Sequence, residues 1–245
     1  MDVPSLQLGI SDAALMAPMA AESRNMHMIL GMSRVGAPIS LAGSQLGEAR
    51  HVCAFFKNRD DEYNVTLPFI KEGLEAGDKA IHIIDPARRA DHLKRMASFG
   101  IDTVPAQQSG QFELHDWQGT FFFDGPFNPD RQLALLEDAL QRGRQQGFPF
   151  TRYVAHAEWA LEERASLDVL LEFEARVNHI WPRSADTVIC TYDLARYGAD
   201  TVIDVFRTHP MIIIGGVLQQ NPFFVQPDDF LSELRERQLG GASHH

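Results

Sequence analysis

The residues of this 245-residue chain best suited to coordination or redox chemistry are its two cysteines and a few histidines set in apolar runs. His51 and Cys53 stand two apart in HVCAFF (residues 51–56), so on a strand both side chains leave the same face. Cys190 and Tyr192 share that relation in TVICTYD (187–193), and His209 lies just ahead of MIIIGG (211–216). Imidazoles and thiolates are the ligands of tetrahedral zinc, and a haem needs only one or two of them. The same cysteines also read as small core residues. A nucleophile–base pair of Cys53 with His51 is disfavoured by distance, because positions two apart on a strand hold their groups roughly 6–7 Å apart. No Gly-x-Ser-x-Gly elbow occurs, so a Ser-His-Asp triad has no anchor.

A second kind of chemistry is conspicuous by what it lacks. Residues 64–77, NVTLPFIKEGLEAG, followed by KAIHIID, read like the helix and second strand of a nucleotide-binding domain. A phosphate loop ahead of them requires Gly-x-x-x-x-Gly-Lys-Ser/Thr, whose glycines let backbone N–H groups wrap the phosphates. Here the connection is Lys57-Asn58-Arg59-Asp60-Asp61-Glu62, with no glycine and three consecutive acids that repel a triphosphate.

The elements that position these residues alternate along the chain. HVCAFF is a strand. A helix opens near Asp60 or Asp61, buries Leu67, Ile70 and Leu74, and stops at Gly77. AIHII (80–84) is the second strand, and Asp85-Pro86 caps a helix ending at Gly100. QFELHD (111–116) is the third strand, and Asn128-Pro129 opens a helix that closes at Gly147. A strand begins at Phe150, and Leu167, Leu170, Leu171 and Val177 mark a helix ended by Trp181-Pro182. TVICTYD and MIIIGG are strands flanking a helix with Val202, Ile203 and Phe206, and Pro227 starts a short last helix. Continuous apolar strands alternating with helices predict a three-layer α/β domain with a mainly parallel sheet.

Composition bounds the rest. Hydrophobic residues make up 44% of the chain and the net charge is −11, which disfavours a broad nucleic-acid footprint. No apolar run reaches membrane-spanning length and no secretory signal pattern opens the chain, so a cytoplasmic location with reduced thiols is expected. Residues 1–45, rich in Met, Ala, Ser and Gly, read as an extension, 46–236 as the domain and 237–245 as a tail. Phe121-Phe122-Phe123, with Trp117 upstream, reads as core or a subunit contact, since its acidic surroundings do not suit nucleic acid.

The ordered set RHVCAFF (50–56), LPFIKEGLEAGDKAIHIID (67–85), EWAL (158–161), EFEARVN (172–178), CTYD (190–193), THPMIIIGG (208–216) and NPFF (221–224) resembles the MEDS family of sensory domains, RecA/KaiC-like derivatives that lack the phosphate loop. The resemblance spans nearly all of residues 45–236. It implies a non-enzymatic sensory or regulatory module that binds a small organic ligand such as a hydrocarbon derivative, without ATP. A helix-turn-helix is not evident, so the expected partner is a transcription factor or kinase acting in trans, with a homo-oligomer as a further expectation and neither nucleic acid nor membrane contacted directly.

The RecA-like strand order places HVCAFF between TVICTYD and MIIIGG. That order groups His51, Cys53, Cys190 and His209 as an alternative zinc or haem site. Ligands of open parallel sheets bind beyond the carboxyl ends of the strands, where Phe56, Asn58, Asp85, Glu158, Trp159, Tyr192 and Asp193 would stand. Glu158 follows the strand in the Walker B place, with no phosphate-loop lysine to work with. The expected ligand-binding set is therefore His51, Cys53, Phe56, Glu158, Trp159, Tyr192, Asp193 and His209. Its two histidines map to the amino ends of their strands, and Tyr192 and Asp193 to the carboxyl end.

Overall fold

The computed structural model describes residues 39–180 and 185–242. Residues 1–38 of the expected extension and the Trp181-Pro182 stop signal lie outside them. The described chain opens with an antiparallel hairpin, β1 (Ile39–Leu41) and β2 (Ser44–Leu46), which straddles the boundary expected after residue 45. Its Ile39, Leu41 and Leu46 are buried in the core.

Strand and helix then alternate. β3 (His51–Phe56) leads to α1 (Arg59–Glu75) and β4 (Lys79–Ile84). A 3-10 turn (Pro86–Arg88) runs into α2 (Arg89–Ser98), followed by α3 (Thr103–Gln108), β5 (Phe112–Asp116) and α4 (Trp117–Phe121). Next come α5 (Pro129–Gln145), β6 (Thr151–His156), a 3-10 turn (Ala157–Leu161), α6 (Leu167–Val177) and β7 (Thr187–Asp193). α7 (Ala199–Arg207), β8 (Met211–Ile214), β9 (Val217–Gln220) and α8 (Pro227–Ala242) complete it.

Side chains at the helix starts explain where the helices begin. Asn58 accepts from the Asp61 N–H and Asn128 from that of Arg131, each with acids in the first turn that suit the helix dipole. Gly215 and Gly216, both at positive φ, form the two-residue turn that folds β9 back on β8.

The sheet runs β5-β4-β6-β7-β3-β8-β9 and is parallel except for β9. β3 lies between β7 and β8, with Cys53 beside Cys190 and Phe56 beside Asp193 in register. Odd-numbered residues of β3 (Cys53, Phe55) join Ile83, Tyr153 and Cys190 in a core covered by α5 to α8. Even-numbered residues (Val52, Ala54, Phe56) join Val154 and Ile189 beneath α1 to α3 and the hairpin. The molecule is three layers, as the continuous apolar strands predict.

One buried ion pair ties the second layer to the sheet. Arg152 on β6 meets Asp78 at 2.9 Å, both side chains 1% exposed, and donates to the Phe69 carbonyl of α1 at 2.5 Å. The arginine passes over Gly73, where a side chain would collide with the guanidinium.

Candidate functional site

A cavity of about 350 Å³ lies on one face of the sheet, between the strands and α4, α5 and α6. Ile83, Tyr153 and Ala155 form its floor, and Leu136, Trp159 and Phe173 its walls. Trp159 is held there by stacking on Phe127, ring centroids 4.0 Å apart. The half-exposed side chains of His115 and Arg142 also line it, so the cavity opens to solvent on that side. Two polar groups, Glu174 and Cys190, line its inner end.

Those two belong to a fully buried polar cluster. Glu174 projects from α6 toward the sheet. Its Oε1 accepts from the Tyr192 hydroxyl at 2.6 Å, while Oε2 lies 3.2 Å from His51 Nε2, 3.4 Å from His209 Nε2 and 3.4 Å from Cys190 Sγ. The His51 and His209 rings overlap at 4.0 Å between centroids. Asn178, one turn beyond Glu174, accepts from His51 Nδ1 at 3.1 Å. Burial opposes ionisation of Glu174, yet the two imidazoles hold its carboxyl well below the usual range. Burial, with His209 beside it, lowers His51 to about 4, and burial pushes the Cys190 thiol up to about 12.

A second polar network fills the carboxyl edge of the sheet, where ligands of open parallel sheets usually bind. Glu62, on the first turn of α1, takes Arg88 Nη2 at 2.6 Å and His156 Nε2 at 2.9 Å. Arg88 Nη1 donates to His156 Nδ1 at 3.1 Å and lies 3.9 Å from Glu158. Burial would raise Glu62, but His156 and Arg88 hold it down at about 2, whereas burial raises Glu158. Beneath this network Tyr63, His92 and His82 form a hydrogen-bonded chain with both links at 2.9 Å. Burial and the neighbouring imidazoles depress His82 well below its ordinary value and His92 to about 3. The space left at this edge is about 10 Å³.

The residues singled out by sequence thus separate. Of the expected ligand-binding set only Trp159 lines the large cavity directly, joined by Cys190 of the alternative metal set. His51, His209 and Tyr192 gather around Glu174 at its inner end. Cys53 leaves the same strand face as His51, but its Sγ sits 3.8 Å from the Met211 carbonyl. Phe56 points to the opposite face of the sheet. Glu158 stands against Arg88, and Asp193 accepts from the Ala195 N–H in the turn after β7. Phe56, Glu158, Tyr192 and Asp193 border only the 10 Å³ gap.

Sequence reasoning missed Glu174, Asn178 and the network of Glu62, Arg88, His92 and His156. A signal for Glu174 existed: it is an acid on the apolar stripe Leu170, Leu171, Val177, one turn from Leu170 and one short of Asn178. The histidines of KAIHII and TRYVAH likewise interrupt apolar strand runs.

The profile of the MEDS family, the methanogen/methylotroph DcmR sensory domain, matches residues 50–210. The chain belongs to this family. The MEDS match covers β3 through α7 and therefore the cavity and both polar networks. The chain is also 24% identical over 174 residues to the transcriptional repressor DcmR of Methylorubrum extorquens, which covers 71% of this chain and 63% of that protein. It therefore spans under two thirds of that relative's length. A KaiC-like protein of Pyrococcus horikoshii OT3 is similar in structure, with a TM-score of 0.47 and 20% identity over 66% of this chain and 69% of that one. Among the described residues no helix is long and apolar enough to cross a membrane.

Proposed function

We propose that this MEDS domain is a non-enzymatic, cytoplasmic sensor that binds a small, mainly apolar organic molecule in the cavity beneath α5 and α6. The observation that carries this reading is the cavity itself: about 350 Å³, walled mainly by aliphatic and aromatic side chains, with Glu174 and Cys190 at its inner end and Glu113, His115, Gln132 and Arg142 also lining it. Ligand sites have this composition. A dry cavity of about 150 Å³ takes benzene, so this one suits a molecule of roughly a dozen non-hydrogen atoms.

A route for the signal accompanies the site. Phe173 and Glu174 line the cavity from α6, and α6 packs directly on α5 and α8. A ligand that displaces Phe173 acts on α8 through buried Phe230 and Leu234. The partner that reads this shift is a regulatory protein, a transcription factor or kinase in trans, or a second copy of the chain. Support for a regulatory output comes from the repressor relative and from family membership. The glycine-free Lys57–Glu62 connection and the Glu62–Arg88–His156 network at the carboxyl edge support a role without ATP.

The test uses substituted benzenes and short-chain alcohols and ketones as probes. Saturable quenching or enhancement of tryptophan fluorescence, lost in Trp159→Phe while the compound still raises the melting temperature, places the probe at the cavity. No stabilisation by any compound of the series would count against the reading.

A further inference from the structure

Hydrogen bonding fixes which nitrogen of each clustered imidazole carries its proton. Asn178 Nδ2 donates to the carbonyls of Glu174 and Ala175 at 3.1 Å and of Thr208 at 2.8 Å, so its amide oxygen is the atom facing His51 Nδ1. That oxygen only accepts, and Nδ1 of His51 must donate. Nδ1 of His209 faces the Val205 carbonyl at 2.9 Å and donates for the same reason. In the neutral rings the lone pairs then lie on the two Nε2 atoms. Both are directed at one carboxylate oxygen, Glu174 Oε2, at 3.2 and 3.4 Å, and His209 Nε2 has no hydrogen-bond partner among the described residues. Acceptors that face one another in a fully buried site call for a cation between them.

We infer that His51 Nε2, Glu174 Oε2, Cys190 Sγ and His209 Nε2 form a tetrahedral binding site for zinc or a zinc-like divalent cation at the inner end of the cavity. The four ligand atoms all lie within 4.8 Å of one another. Cys190 Sγ is 3.4 Å from Glu174 Oε2 and 3.7 Å from His51 Nε2. Tetrahedral zinc with Zn–N of about 2.0–2.1 Å and Zn–S of about 2.3 Å spaces its ligand atoms about 3.3–3.6 Å apart, close to the 3.2, 3.4, 3.4 and 3.7 Å separating Glu174 Oε2 from His51, His209 and Cys190 and Cys190 from His51. Three of the four ligands are also oriented from behind, His51 by Asn178, His209 by Val205 and Glu174 by the Tyr192 hydroxyl.

Charge balances as well. Coordination releases the Cys190 thiol proton to solvent, while the two neutral imidazoles bind through their Nε2 lone pairs. The carboxylate and thiolate then supply two negative charges to a dication, leaving a neutral centre suited to a buried position. Glu174 replaces Cys53 in the set that the strand order alone suggested. Since Glu174 and Cys190 line the cavity, the cation has its route from solvent there, and the site stands whether or not an organic ligand binds in that space.

The test is a cobalt(II) titration of the full chain stripped with chelator, followed by zinc. The expected result is one equivalent of tetrahedral cobalt with a thiolate-to-cobalt charge-transfer band, bleached by zinc. Cys190→Ala abolishes that band, Cys53→Ala keeps it, and Glu174→Gln weakens zinc more than tenfold. Exposed histidines cannot produce the band, so the native protein decides the matter even if a variant fails to fold. Absence of the band from folded native protein, its survival in Cys190→Ala, or its loss in Cys53→Ala overturns the assignment.

Discussion

The Tyr192 hydroxyl donates to Glu174 Oε1 at 2.6 Å, with both side chains buried, so one hydrogen bond joins the carboxyl end of β7 to the covering helix α6. The other oxygen of the same carboxylate faces His51, His209 and Cys190. Burial, and then Glu174 itself, keep the Tyr192 phenol protonated far beyond its ordinary range. Tyr192→Phe removes a hydrogen bond to a charged acceptor and is expected to destabilise the fold by about 1.5–3 kcal/mol. Urea unfolding measures this. An unchanged midpoint would mean the bond contributes nothing.

The chain Tyr63–His92–His82 makes stability depend on pH. Its two histidines have folded values depressed from 6.5, to about 3 at His92, chiefly by burial. The unfolded chain therefore binds protons that the folded one refuses, and stability is complete above 6.5 and falls as pH drops through that value. Each such histidine contributes a slope of roughly 1.4 kcal/mol per pH unit. Between 6.5 and 4.5, above the range where Glu62 begins to protonate in the unfolded chain, His92→Gln should flatten the plot of unfolding free energy against pH. An equal slope in both proteins refutes this assignment.

Gly73 is required by Arg152 rather than by its own backbone. Gly73→Ala would drive a methyl group into the guanidinium that pairs with Asp78. The expected loss is about 1–3 kcal/mol despite the better helix propensity of alanine. A stabilised variant on thermal melting would show that the arginine yields easily.

Much of this architecture was legible before the structure. Unbroken apolar runs gave the central strands, and Asp85 and Asn128 marked helix starts, because local capping chemistry acts within a few residues; α1 starts at Arg59 behind the Asn58 cap, just ahead of the expected Asp60 or Asp61. The hairpin partner β9 went unread although Gly215-Gly216 between MIII and VLQQ is a two-residue turn signal. His51, Cys190 and His209 could be grouped because strand order brings them together, whereas Tyr192 was expected at the opposite strand ends and reaches the cluster through Glu174. Glu174 could not be grouped with them, since its contacts depend on how α6 lies across the sheet, which periodicity does not fix. The cavity was illegible for the same reason: Leu136, Trp159 and Phe173 come from three separate segments, and the space among them is a property of packing.

The cavity has a steric test. Leu136, 4% exposed on α5, forms one wall, and Leu136→Trp places an indole into the open volume. The variant should fold with a melting temperature equal to or above that of the native protein, because filling a void adds contacts.

The most direct measurement is the melting temperature of native and Leu136→Trp protein across a concentration series of a small aromatic such as toluene or indole. A rise with concentration in the native protein only, with the variant folded, is the result this account predicts. An equal rise in both proteins, or none in either, would contradict it.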